Sequence, residues 1–113
     1  MKLATFQAPG EAKPRAGLVD GEQVYAFDGP DGVRAVLAET LTPEPTGDSW
    51  PLADVRLLAP IPDPGTVFAI GLNYAKHVEE SGVLAPSRPL VFVKARSSIT
   101  APGGPIVCPA VVT

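Results

Sequence analysis

Fourteen prolines and eleven glycines, about a fifth of the 113 residues, punctuate this chain from end to end. Proline fixes φ and removes a hydrogen-bond donor, and glycine opens backbone angles that other residues avoid. Such a chain favours short strands and tight turns over a helical bundle. Its length suits one ordinary domain or two small pieces of structure. An apolar fraction of 45% with only 19% charged residues belongs to a chain that folds rather than one that stays disordered.

Charge removes several classes of partner. A formal charge of −3 and a pI near 5.0 leave no basic stripe for nucleic acid. No apolar run approaches the roughly 20 residues that span a bilayer, and Met1–Gln7 lacks the apolar stretch of a signal peptide. The expectation is therefore neither nucleic-acid nor membrane binding. A lone cysteine, Cys108, excludes an internal disulfide and fits a reducing compartment, so the expected location is cytoplasmic.

The pattern predicts a strand at Leu3–Phe6, then a hairpin whose arms, 15–19 and 22–27, flank Asp20-Gly21. Asp28-Gly29-Pro30-Asp31-Gly32 reads as a turn. Asp31 is placed to cap a short helix carrying Val33, Val36, Leu37 and Leu41 at helical spacing. Thr42–Pro51, with three prolines and no periodicity, reads as a linker, so residues 1–50 form a small β-rich lobe with a linker-like end at 41–51. Residues 52–113 form the second part. Strands are expected at 55–59 and 66–70, the latter apolar enough to be buried on both faces. A helix follows from about Asn73, its cap, to Ser81, with Gly82 as its stop. Further strands are expected at 90–93 and 105–108, with a turn at 102–105. The apolar, strand-like finish at Val111-Val112-Thr113 leads to the expectation of more protein beyond it.

Within the predicted helix lies the only histidine, His77, with Glu80 three residues on. That spacing puts imidazole and carboxylate on one helix face, where the acid can orient and polarise a general base. Asn73 and Ser81 fall on the same side, while Tyr74 and Val78 face the other way, suited to packing on a sheet. A solvated His–Glu surface pair is the competing reading. Cys108 with His77 could make a thiol–imidazole pair, but its place between Val107 and Pro109 favours a buried, inert thiol. Residues 28–32 are a turn rather than a calcium loop, lacking alternating ligands and a closing Glu. Ser97 and Ser98 read as turn or substrate-contact hydroxyls, and Gly103-Gly104 as an anion nest or a plain turn. Arg96 and Lys94 are each open to two readings, an anion contact or an exposed cation.

Three separated pieces extend the reading: Gly-Leu-Asn-Tyr-x-x-His-x-x-Glu at 71–80, Pro-Leu-Val-Phe-Val-Lys at 89–94, and Ser97-Ser98 followed by Ala101-Pro102-Gly103-Gly104-Pro105-Ile106-Val107 and Pro109. Together they resemble the fumarylacetoacetate hydrolase family, over about forty residues. Met1–Phe6 and Arg15–Gly21 look like the small leading domain of its bacterial members. The resemblance implies a mixed α/β, mostly β architecture: a β-rich lobe, then the start of the family's mixed β-roll, with one or two short helices and usually a homodimer. It implies action on small 2,4-dioxo or keto acids, by C–C hydrolysis of acylpyruvates or fumarylacetoacetate-type compounds, by oxaloacetate decarboxylation, or by isomerisation in aromatic catabolism.

By the same resemblance His77 is the base and Glu80 its orienting acid, on a segment that closes over the substrate. Asn73, Tyr74, Lys94 and Ser97 become substrate contacts. The implied cofactor is Mg²⁺, or Mn²⁺ or Ca²⁺, held by carboxylates in a Glu-x-Glu segment and an acid further on. Residues 81–113 contain no Asp or Glu, so those ligands are expected beyond Thr113 and none in this chain. The 113 residues alone are accordingly expected to be inactive. A β-rich binding or assembly module without catalysis is the alternative.

Overall fold

The computed structural model describes residues 2–38 and 44–110. The chain is mostly β and divides into two compact units, one of residues up to Pro62 together with those from Thr100 on, the other Asp63–Ile99.

In the first unit β1 (Lys2–Gln7), β2 (Arg15–Asp20), β3 (Gln23–Phe27), β4 (Pro45–Pro51) and β5 (Arg56–Leu57) form an antiparallel sheet in the order β4-β3-β2-β1-β5. The expected hairpin is present, its loop one residue later than predicted. Asp20 pairs with Gln23, which leaves Gly21 and Glu22 as the turn, and Gly21 takes φ 57 at the first loop position. Phe6, Ala8, Val24 and Ala26 form the core of one face, beneath Trp50, Leu52, Val55 and Leu57. Ala16, Phe27 and Val36 form the other, with Leu3 and Leu18. Gly17 carries no side chain for a steric reason: a Cβ there would lie 2.6 Å from the Tyr25 carbonyl oxygen and 2.8 Å from the Phe6 ring.

The predicted linker is mostly a strand. Pro45 and Pro51 stand at the two ends of β4, which lies at the sheet edge, where a missing N–H costs nothing. Trp50 anchors it, its ring 5.8 Å from that of Phe6 and 5.3 Å from the Arg15 guanidinium. Arg15 also bonds Asp48 and Glu11, each at 3.2 Å. Thr42 and Pro43, like Leu41, lie outside the described residues.

Helix α1 (Val33–Ala38) buries Val33 and Val36 but leaves Leu37 exposed. Its first N–H, from Val33, is taken at 2.9 Å by the buried Thr5 hydroxyl of β1 rather than by Asp31. The same hydroxyl donates to the Pro60 carbonyl at 2.7 Å. One side chain thus ties strand, helix and the segment after β5 together.

The second unit holds β6 (Val67–Gly71) and β7 (Leu90–Lys94), paired antiparallel, with α2 (Ala75–Ser81) between them and a 3₁₀ turn at Arg96–Ser98. The expectation that β6 is buried on both faces fails. Phe68, Ile70, Val91 and Val93 share one face of this ribbon and all four are exposed. Two strands supply no second layer to cover them. The expected strand at 105–108 is absent too: among the described residues its backbone pairs with no neighbour, and Ile106 is 94% exposed. The turn before it forms as expected, Gly103 at φ 71 with the Gly104 N–H donating to the Ala101 carbonyl.

Candidate active site

The second unit arranges the predicted site residues from the backbone outward. β6 ends at Gly71, and the next residue, Leu72, adopts φ 50. A left-handed backbone costs a residue with a Cβ roughly 1–2 kcal/mol, and such strain concentrates at functional sites. Asn73 lies in the turn that follows. It does not cap the helix: the N-cap is Tyr74, in extended conformation without a side-chain cap bond, and its carbonyl accepts the Val78 N–H at 3.1 Å. The C-terminal stop is as expected. Gly82 takes φ 66, and its N–H returns to the Glu79 carbonyl.

His77 and Glu80 stand one turn apart on α2 and both are exposed. Among the described residues no hydrogen bond or ion pair joins them. The Ser81 hydroxyl turns back to the Val78 carbonyl at 2.9 Å. Tyr74 and Val78 do not form the buried face expected of them, since α2 has no buried residue and Tyr74 projects into solvent. A seven-residue helix beside a two-stranded ribbon has too little sheet to lie on.

Lys94, at the end of β7, places Nζ 5.1 Å from the centre of the Phe92 ring, an exposed cation–π contact. Ser97 is exposed within the 3₁₀ turn, while its neighbour Ser98 donates to the Ala95 carbonyl at 2.6 Å. Arg96 is exposed and pairs with Asp63 at 3.1 Å. Cys108 is exposed, not buried, because the segment holding it is not paired into a sheet. Among the described residues no three His, Cys, Asp or Glu side chains gather as metal ligands would. Among the described residues no set of side chains fits the implied metal.

One grouping has no signature in the sequence. A cavity of about 300 Å³ is lined by Leu72, Asn73, Ser87 and Arg88 among others, but not by His77, Glu80, Lys94 or Ser97. Arg88 belongs to no motif. Its only sequence signal is a charge set between two prolines, Pro86-Ser87-Arg88-Pro89.

Comparison with known proteins decides the family. Residues 66–113 match the family described as fumarylacetoacetate (FAA) hydrolase C-terminal, and residues 1–60 match the Rv2993c-like N-terminal family. The chain belongs to the fumarylacetoacetate hydrolase family. Protein Rv2993c of Mycobacterium tuberculosis is 51% identical over 69 residues, covering 61% of this chain and 26% of its own length. The mitochondrial oxaloacetate tautomerase Fahd2a of Rattus norvegicus is 33% identical, over 96% of this chain and 40% of its own. A 2,4-didehydro-3-deoxy-L-rhamnonate hydrolase from Sphingomonas is 33% identical, over 96% and 39%.

Among solved structures, an uncharacterized protein from Mycobacterium abscessus superposes with a TM-score of 0.71 at 36% identity, over all of this chain and 40% of that one. A 2-hydroxyhepta-2,4-diene-1,7-dioate isomerase from Mycobacterium marinum gives 0.57 at 28% identity, over 88% and 34%. The chain therefore has the fold of this family, and spans about two-fifths or less of the length of these relatives. Relatives with assigned activities are enzymes acting on small acids. Among the described residues no helix is long and apolar enough to cross a membrane.

Proposed function

We propose that the protein carrying this chain transforms small keto acids, with His77 as general base and Glu80 orienting it. The observation that carries the reading is the pair itself: two titratable side chains at helical spacing, exposed on α2, inside the segment that matches the hydrolase family. In a tautomerase or isomerase reaction His77 takes a proton from the carbon next to a carbonyl and the proton is returned to another atom of the same substrate. In C–C hydrolysis it takes a proton from water, the hydroxide adds to the carbonyl, and the carbon–carbon bond breaks to leave an enolate that is then protonated. Both need the same free imidazole. Oxaloacetate tautomerase relatives favour the first. Decarboxylation of oxaloacetate and hydrolysis of acylpyruvates are the other reactions within the proposal.

Glu80 reaches His77 in this reading when the helix is held against substrate, as a closing segment would hold it. A divalent cation, Mg²⁺ with Mn²⁺ or Ca²⁺ as substitutes, is part of the proposal, with ligands from outside residues 1–113. So are a homodimer, checked by light scattering, and a cytoplasmic location, although the rat relative is mitochondrial. Lys94, Asn73, Tyr74 and Ser97 are proposed substrate contacts.

The test uses the protein at its full coding length, assayed with Mg²⁺ on the enol–keto interconversion of oxaloacetate and on acetylpyruvate cleavage. His77→Ala is expected to lower kcat by roughly 10²–10⁴ with an unchanged melting temperature. Near-normal turnover in that variant would return His77 to the surface-pair reading. The missing contact between His77 and Glu80 favours one rival, a non-catalytic binding or assembly module, and absence of turnover on every acid tested would select it.

A further inference from the structure

The cavity in the second unit has the composition of a small-molecule site: apolar walls from Ile70, Leu72 and Pro89, with Asn73, Ser87 and Arg88 as its polar side chains. Among the described residues Arg88 has no carboxylate partner, whereas Arg15 and Arg96 are both paired. A guanidinium is charged at any physiological pH and presents a planar fork of donors that matches a carboxylate with two parallel bonds. The segment bearing it is stiff in advance. Pro89 biases Arg88 towards extended backbone, and Pro86 fixes its own φ two residues earlier. The strained turn at Leu72 leads into Asn73, which lines the same cavity and is exposed like Arg88, and its amide adds two further donors. A strained turn, a proline-stiffened segment and a cation without a carboxylate partner, all lining one cavity, are what a preformed anion subsite requires.

We propose that Arg88, assisted by Asn73, receives the second carboxylate of a dicarboxylic keto acid and makes the protein select dicarboxylates over monocarboxylates. This deepens the proposed keto-acid function and rests on it for the identity of the substrate's other end. Oxaloacetate and the heptadiene-1,7-dioate named for two relatives are both dicarboxylates.

The experiment compares the full-coding-length protein with Arg88→Gln and Arg88→Lys, folded state checked by circular dichroism. Calorimetry with succinate and butyrate reads the subsite without turnover, and the ratio of kcat/KM for oxaloacetate over phenylpyruvate reads it in catalysis. Succinate is expected to bind the parent more tightly than butyrate. Arg88→Gln is expected to weaken succinate by roughly 10- to 100-fold and shrink the catalytic ratio to match, with Arg88→Lys in between. Equal binding of the two acids by the parent, or a loss under about twofold in Arg88→Gln, overturns the assignment and leaves the keto-acid function standing. Arg88-dependent succinate binding without turnover of any keto acid supports the subsite and overturns the enzymatic reading instead.

Discussion

Phe6 and Phe68 occupy strands of similar length, yet Phe6 is 0% exposed and Phe68 is 67% exposed. The strand sequences do not explain this. β6 reads Val-Phe-Ala-Ile-Gly and is more apolar than β1, Lys-Leu-Ala-Thr-Phe-Gln. What differs is the surrounding layer. In the first unit Phe6 belongs to a five-stranded sheet, Trp50 covers one face of that sheet, and α1 helps close the other. In the second, two strands pair only with each other, and every residue of Asp63–Ile99 remains at least partly exposed. Apolar composition states a demand for cover, and only a second layer meets it. The first unit is accordingly the better packed, and the second contains His77 and Glu80.

Matched substitutions test that contrast most directly. In the 113-residue chain Phe6→Ala should destabilise by about 3–5 kcal/mol in urea unfolding, because it empties a fully buried site beside Trp50. Phe68→Ala should change the same midpoint by less than about 1 kcal/mol, since little of its surface leaves water. Equal losses at the two positions would erase the distinction. Next in size is Thr5→Val, which keeps the shape but strands the Val33 N–H and the Pro60 carbonyl. A cost of about 1–3 kcal/mol is expected, with faster amide exchange at α1 than in β2. Smallest is Gly82→Ala. Its left-handed C-cap disfavours a Cβ by about 1 kcal/mol, so the last turn of α2 should fray, read as loss of helical chemical shifts at Glu79–Ser81 with the first unit's melting unchanged.

Legibility followed range. The hairpin at residues 20–23, the turn at 28–32, the stop at Gly82 and the turn at 102–104 were readable because each depends on a few adjacent residues with special backbone preferences. The prolines of β4 look like linker chemistry until an edge position makes them harmless. Asn73 and Asp31 were assigned caps on residue type, but the first N–H of α1 went to Thr5, 28 residues away in sequence. For the site, the spacing of His77 and Glu80 was legible and their lack of contact was not, because rotamers answer to neighbours. Arg88 has no such signal, since nothing local marks an exposed arginine as lining a cavity.

By itself the sequence determined part of the punctuation of this protein: the hairpin beside Gly21, the stop of α2 at Gly82, the turn at Gly103, and that His77 and Glu80 share a helix at one-turn spacing. Those are short-range consequences of backbone sterics and covalent distance. The tertiary structure alone decided which apolar strands are covered, that Thr5 completes a distant helix, and that Asn73 and Arg88 line one cavity. Each of those depends on atoms brought close by folding rather than by the chain, and burial is a property of what surrounds a side chain.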